Sequence, residues 1–149
     1  MKTLYPYDFV GIYDLRRFHG IGGFSYEIPS RFWQLMDFGF RSHMWGEEIL
    51  GSTLVRASYT SKTAPEDQTA DAVSYPRFFL RNLLPRVDTE GARLPKHKLL
   101  SFVLRTGVGL SAGRRLFKEA QRWVDKNSER FNRDARSLVN QWNPEGERS

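Results

Sequence analysis

The second half of the chain has the apolar periodicity of helices. Five apolar residues lie seven positions apart on one predicted helix face: Leu110, Phe117, Val124, Phe131 and Leu138. We expect this stripe to face the core, since polar residues fill the second heptad position that a coiled-coil seam would need. Ser111 is the predicted N-cap of the stretch, which extends to Asn143, and Asn127–Ser128 is a candidate break between two helices.

Two shorter helices are predicted before this stretch. Pro76–Leu84 forms the first, because proline is tolerated in a first helical turn, and the next proline ends it. Residues 86–94 are predicted to be a loop around Gly91. Pro95–Thr106 forms the second helix, and the glycine at Gly107 interrupts it.

The first half is rich in aromatic and β-branched residues separated by glycines, which is typical of short strands and turns. Phe24–Ile28 alternates like a half-buried strand, and Ile49–Thr60 is a second strand region. Between them, Ser30 is predicted to cap a helix over Arg31–Phe38. Gly39 is the predicted C-cap of that helix.

These elements predict an α+β fold in a single domain over residues 1–149. A small aromatic-rich, β-containing N-terminal part (residues 1–60) would pack with a helical, basic C-terminal part (residues 73–143). Residues 61–72 are polar and carry a proline, so we expect a flexible loop there, between the two subregions.

The charge is distributed unevenly along the chain. The 149 residues carry a formal net charge of +6, but residues 1–75 contribute −2 and residues 76–149 contribute +8. An excess of positive charge confined to one half favours a polyanionic partner for that half, and nucleic acid is the leading candidate. The slightly acidic N-terminal half is the candidate for a protein partner or a dimer contact.

The residue inventory excludes several kinds of site. The chain has no cysteine, so disulfide scaffolds, thiolate metal centres and cysteine nucleophiles are impossible. No apolar run is long enough for a membrane span, and the first residues lack the apolar core of a signal peptide. We therefore expect a cytoplasmic protein with no membrane contact and no cofactor.

The segment Pro95–Val124 has the outline of a helix-turn-helix: an apolar helix, a glycine-containing turn and a basic helix. Its second helix places cations away from the apolar stripe, where they could hold phosphates or guanine edges. The predicted turn is about one residue too long for this motif. In addition, Gly113 stands where an apolar packing residue is usual.

Six cations are the candidate nucleic-acid-binding residues: Arg114, Arg115, Lys118, Arg122, Lys126 and Arg133. Arg130 and Arg136 extend the same positive face. Part of this charge is expected to be neutralised by pairs four residues apart, namely Arg115–Glu119, Glu129–Arg133 and Arg130–Asp134. Such pairs contribute only about 0.2–0.5 kcal/mol each.

Two other functions remain open at this point. The basic face could bind an acidic protein surface, as a protein-interaction module or an inhibitor does. Alternatively, the chain could be a small enzyme in which His19 and His43 act as acid–base groups, with Glu27 and Glu48 as further candidates. The glycines after His19 are interpreted as a turn, and the tryptophans mainly as core residues with a minor potential for base stacking.

Overall fold

The computed structural model describes residues 1–54, 56–60 and 67–142. The helices within these residues are α1 (Leu15–Ile21), α2 (Arg31–Met44), α3 (Ser74–Phe78), α4 (Leu99–Thr106), α5 (Leu110–Lys126) and α6 (Ala135–Gln141). The strands are β1 (Arg86–Asp88) and β2 (Gly91–Arg93), which pair antiparallel. The fold is therefore α+β, as the sequence predicts.

The strands lie in a different part of the chain from the predicted ones. The β1–β2 hairpin occupies the predicted loop 86–94, where Gly91 takes φ 111° and allows the tight turn. In the predicted strand region Ile49–Thr60, the described residues form one isolated bridge, between Leu50 and Lys2. Residues 61–66 of the predicted flexible loop lie outside the described residues, as do Val55 and the tail 143–149.

The N-terminal aromatic segment contains a helix and turns instead of strands. Asp14 caps α1 by accepting a hydrogen bond from the Arg17 N–H, and Gly22 ends the helix in the left-handed region. The predicted strand Phe24–Ile28 is a turn, closed by a hydrogen bond from the Ile28 N–H to the Ser25 carbonyl. The prediction was wrong because the apolar residues here pack against helices and do not form a ladder with another strand.

Helix α2 begins where the sequence predicts and ends later. The Ser30 hydroxyl accepts a hydrogen bond from the Trp33 N–H, but the helix continues past Phe38 to Met44. Gly39 is inside the helix and is not its cap. A Cβ atom at this position would collide with the Leu4 carbonyl oxygen, so the glycine lets the N-terminal segment cross α2 at backbone distance.

A buried polar cluster connects α2 to the helix that follows the long loop. Helix α3 continues into a π-helical turn, Phe79–Leu83, so the predicted helix over Pro76–Leu84 is confirmed in outline. Asn82 in this turn donates a hydrogen bond of 2.8 Å to Asp37, which also pairs with Arg41 at 2.7 Å. All three side chains are buried, so the cluster fixes the position of the turn against α2.

Two hydrophobic clusters form the core. The first contains Phe40, Met44, Phe78, Ala92, Val124, Phe131, Ala135 and Leu138. The second contains Phe79, Leu80, Leu94, Phe102, Leu116, Phe117 and Ala120. Helix α5 contributes to both clusters, so its orientation is fixed along its whole length. In the described residues, no helix combines the length and apolar character needed to cross a bilayer.

Candidate nucleic-acid interface

Helix α5 has one buried side and one basic side. Its buried residues are Gly113, Leu116, Phe117, Ala120 and Val124. They recur at helical spacing, as the sequence predicts, although Leu110 at the helix start is 45% exposed. Because both core clusters hold the apolar side, the opposite side of the helix faces solvent.

Five of the six predicted site residues lie on α5, and all five are exposed: Arg114, Arg115, Lys118, Arg122 and Lys126. We refer to these five residues as the cationic face. At about 100° per residue, four of them fall within an arc of about 80°, and the first lies about 40° to one side. The helix therefore presents its cations together.

The cationic face is not neutralised by neighbouring side chains. Within the part of the chain that the structure describes, none of its five residues forms an ion pair or a hydrogen bond through its side chain. The predicted pair between Arg115 and Glu119 is not formed. Lys118 also has Arg114 four residues before it and Arg122 four residues after it, and like charges at this spacing destabilise a helix.

The other two predicted pairs, Glu129–Arg133 and Arg130–Asp134, are not formed, because Arg133, Arg130 and Asp134 each have a partner elsewhere. Asp134 accepts hydrogen bonds from Arg86 at 3.3 Å and from the Ser137 N–H at 2.8 Å, so it caps α6 and does not pair with Arg130. Arg130 instead donates to the Gly20 carbonyl at 2.7 Å, far away in sequence. Partners supplied by the fold replace the local ones in both cases.

Arg133 is not part of the cationic face. It lies in the segment before α6, is partly buried, and donates a hydrogen bond of 3.0 Å to Gln141. It also lines a small cavity of about 120 Å³ together with His43 and Trp142. The structure therefore separates Arg133 from the five residues of α5.

Helices α4 and α5 have the order and the turn length of a helix-turn-helix. Gly107 ends α4 in the left-handed region, with φ 69°, and Gly109 is the N-cap of α5. Because α5 begins at Leu110, Ser111 lies within its first turn and is not the cap. The turn is thus the three residues 107–109, within the three to four of the motif, and the expected extra residue is absent.

Gly113 has a packing role at the contact between these helices. A Cβ atom there would lie 2.6 Å from Val103 Cγ2, closer than side chains can approach. The glycine in the place of the usual apolar residue therefore allows α4 and α5 to pack closely. The first turns of α5 also carry Arg114 and Arg115.

The segment immediately before α5 is free of acidic residues. No Asp or Glu occurs between Glu90 and Glu119, a segment that contains seven cations. Four of these precede α5: Arg93, Lys96, Lys98 and Arg105. Arg93 is neutralised by Asp88, but Lys96 is exposed just before α4. The absence of acidic residues over this segment is the signal that would have added it to the predicted site.

The tryptophans do not form a stacking platform. Trp33, Trp45, Trp123 and Trp142 are each partly buried against the first core cluster. Trp45 and Trp123 stack on each other, with ring centroids 6.0 Å apart. These rings are core elements, which agrees with the main interpretation from the sequence.

The predicted acid–base groups do not all meet at one place: His43 and Glu48 line the same small cavity, whereas His19 and Glu27 do not. Glu27 pairs with Arg81, and this arginine lowers the pKa of the Glu27 carboxyl. His43 donates from Nε2 to the Thr3 carbonyl at 2.9 Å, and burial lowers the pKa of its ring. His19 is exposed on α1. Among the described residues, no group of three or more His, Asp or Glu is placed to hold a metal ion.

No protein-family model, curated protein or solved structure matches the chain.

Proposed function

We propose that the chain is a cytoplasmic nucleic-acid-binding protein, a regulator or an accessory subunit of a nucleoprotein complex. The observation that carries the proposal is the cationic face of α5, whose five side chains are exposed and have no partner among the described residues. Arg41 and Arg81, by contrast, are buried and paired with carboxylates. Unpaired cations that share one helix face are suited to phosphates.

The dimensions of the face suit a duplex. Arg115 and Lys126 are eleven residues apart, or about 16 Å along the helix axis. This length corresponds to about five base-pair steps at 3.4 Å each. A duplex is favoured over a single strand, because the indoles that could stack on unpaired bases are packed against the core.

Fluorescence anisotropy with labelled oligonucleotides of random sequence tests the proposal. The variant is Arg115→Glu/Lys118→Glu/Arg122→Glu, which reverses the centre of the cationic face. The matched control reverses three exposed arginines in the first half of the chain: Arg16→Glu/Arg31→Glu/Arg56→Glu. Both variants change the net charge equally, so only the position of the charges differs.

We expect the unaltered chain to bind the duplex at low salt, the α5 variant to lose at least about a hundredfold in affinity, and the control to lose much less. A circular dichroism spectrum of each variant checks that the helices are intact. Absence of binding at low salt would reject the proposal. Equal losses in the two variants would show that only net charge matters and would reject α5 as the site.

A second candidate function rests on the exposed leucines of α4. Leu100 and Leu104 lie four residues apart on one helix face and are 65% and 84% exposed. Their neighbours Lys96 and Lys98 are cationic, so this surface is complementary to an acidic protein segment that carries apolar side chains. Competition between duplex DNA and an acidic peptide of alternating glutamate and leucine separates the two functions. Tighter binding of the peptide, lost in Leu100→Ser/Leu104→Ser, would favour the protein partner.

A further inference from the structure

A cavity of about 700 Å³ lies on the N-terminal side of the molecule, away from α5. It is bordered by the segment before α1, by α1 itself, by one side of α2 and by residues 47–52. None of its lining residues belongs to α4, α5 or α6. Its volume is within the range of about 300–1,000 Å³ that is typical of small-molecule sites.

Aromatic rings form a fixed wall of the cavity. Tyr13, Phe18 and Phe38 line it and contact one another, with ring centroids 5.3–6.3 Å apart. The Tyr13 hydroxyl donates to the Phe9 carbonyl at 2.9 Å, which fixes this ring. The wall is therefore preformed, and a ligand would not have to order it.

The segment that carries this wall is held in an unusual conformation. Asp8 and Phe9 both have positive φ, at 49° and 60°, which is rare for residues with side chains. Asp8 pairs with Arg31 at 2.5 Å, and the Phe9 ring packs edge-on against Phe24 at 4.8 Å. These contacts from α2 and from the turn after α1 hold the segment in place.

The rim of the cavity is apolar and open to water. Five large apolar or aromatic side chains both line the cavity and are exposed: Met1, Tyr7, Val10, Ile12 and Leu50. Met1 and Ile12 are each 85% exposed. Exposed apolar side chains that cluster around one cavity are typical of a binding site.

Every charged side chain that lines the cavity has an ion-pair partner. Arg17 pairs with Glu47 at 2.9 Å and with Asp14 at 3.7 Å. Glu48 pairs with Lys2 at 2.6 Å, and this ammonium group lowers the pKa of the Glu48 carboxyl. A charged ligand would therefore find no unpaired side chain of opposite charge here to compensate for the hydration that it loses.

We propose that this cavity binds an uncharged, mainly apolar small molecule that carries an aromatic ring. The volume sets the size class, the aromatic wall and apolar rim supply the contacts, and the paired charges exclude ionic ligands. The proposal does not depend on nucleic-acid binding, because the cavity and the cationic face share no residue.

Two fluorescent probes with the same ring system test the proposal on the full chain. N-phenylnaphthylamine is neutral, whereas anilinonaphthalenesulfonate carries one negative charge. We expect one neutral probe to bind per chain, saturably, and at least about tenfold more tightly than the anionic probe. No binding of the neutral probe, or equal affinity for both probes, would overturn the proposal.

Variants of exposed residues locate the probe without disturbing the core. Ala57→Trp places a large side chain in the cavity wall, and Ile12→Glu adds an unpaired charge at the rim. Each should weaken probe binding at least about tenfold, whereas the control Ala72→Trp, outside the lining, should not. Binding that survives both variants would place the probe elsewhere and would contradict the proposal.

Light scattering on the same samples tests whether a second copy of the chain, and not a small molecule, binds at the cavity. The proposal predicts the same molar mass for the unaltered chain and for Ile12→Glu. A dimer that dissociates in Ile12→Glu would show that the rim is an interface between copies. That result would overturn the small-molecule proposal and leave nucleic-acid binding unaffected.

Discussion

Reversing the charge of Lys118 should stabilise the free protein while it weakens nucleic-acid binding. Lys118 lies on the exposed side of α5 between Arg114 and Arg122, each four residues away, and has no pairing partner in the described part of the chain. A like-charged pair at this spacing costs about 0.2–0.5 kcal/mol, and an opposite pair gains about as much. Each of the two pairs in Lys118→Glu therefore changes sign.

The expected gain for Lys118→Glu is about 0.8–2 kcal/mol, and Lys118→Gln should gain about half of this. Lys, Gln and Glu have similar helix propensities, so the difference between the variants reports charge. For a chain of this size, the gain corresponds to a rise in Tm of about 2–8 °C. Selection for nucleic-acid binding would explain why Lys118 is present although it lowers the stability of the folded protein.

Urea unfolding followed by tryptophan fluorescence measures this gain, at low salt and in about 1 M NaCl, where the Debye length is about 3 Å. The gain should largely disappear at high salt. Arg56→Glu, an exposed change outside the helices, should stay within about 0.5 kcal/mol of the unaltered chain. A Lys118→Glu variant that is no more stable at low salt, or whose gain is unchanged in 1 M NaCl, would refute the reasoning.

Three further predictions concern the fold. Gly113→Ala should destabilise the protein by about 1–3 kcal/mol through its collision with α4. The control Gly20→Ala, whose Cβ would meet nothing within 4 Å, should stabilise α1 by about 0.5–1 kcal/mol. Equal effects of the two variants in chemical denaturation would contradict the close packing. Asp37→Ala should cost about 3–5 kcal/mol because it leaves the buried Arg41 unpaired, and a cost under about 1 kcal/mol would contradict this. Because burial lowers the pKa of His43, its contribution to the free energy of unfolding is present above the unfolded-state pKa of 6.5 and is lost as pH falls through the folded-state pKa. Between pH 7.5 and about 5, the urea midpoint should therefore fall less in His43→Gln than in the unaltered chain. An equal fall in both proteins would rule this out.

Helix α5 was largely predictable because its signals are local. The apolar stripe fixes which side is buried, and the exposed cations follow from it. The sequence predicts its start too late, at Ser111, because serine is a preferred N-cap residue, whereas the observed cap is Gly109 in an extended conformation. That offset also made the turn before α5 look too long for a helix-turn-helix.

The N-terminal half was predicted less well because its aromatic residues pack over long distances. Phe18 on α1 and Phe38 on α2 share a ring cluster with Tyr13 and Phe24. Aromatic enrichment indicates burial and favours strands only on average, so composition alone could not distinguish a helix-packed cluster from a sheet. The cavity in this half depends on the same tertiary contacts and leaves no local signal.

The partners of the remaining cations were also set by tertiary structure. Arg133 is not part of the cationic face, and its guanidinium donates a hydrogen bond of 3.0 Å to Gln141 of α6. Arg130 contacts the Gly20 carbonyl on α1. Charge spacing within one segment predicts exposure and pairing only where no distant element supplies a better partner.

The dependence of duplex affinity on salt tests the central claim most directly. If four to five cations of α5 hold phosphates, a plot of log Kobs against log salt should have a slope of about −3.6 to −4.5. Removing one of them, in Lys118→Gln, should reduce the magnitude of the slope by about 0.9, whereas Arg16→Gln should leave it unchanged. A slope near zero, or one that Lys118→Gln does not alter, would contradict phosphate binding by the cationic face.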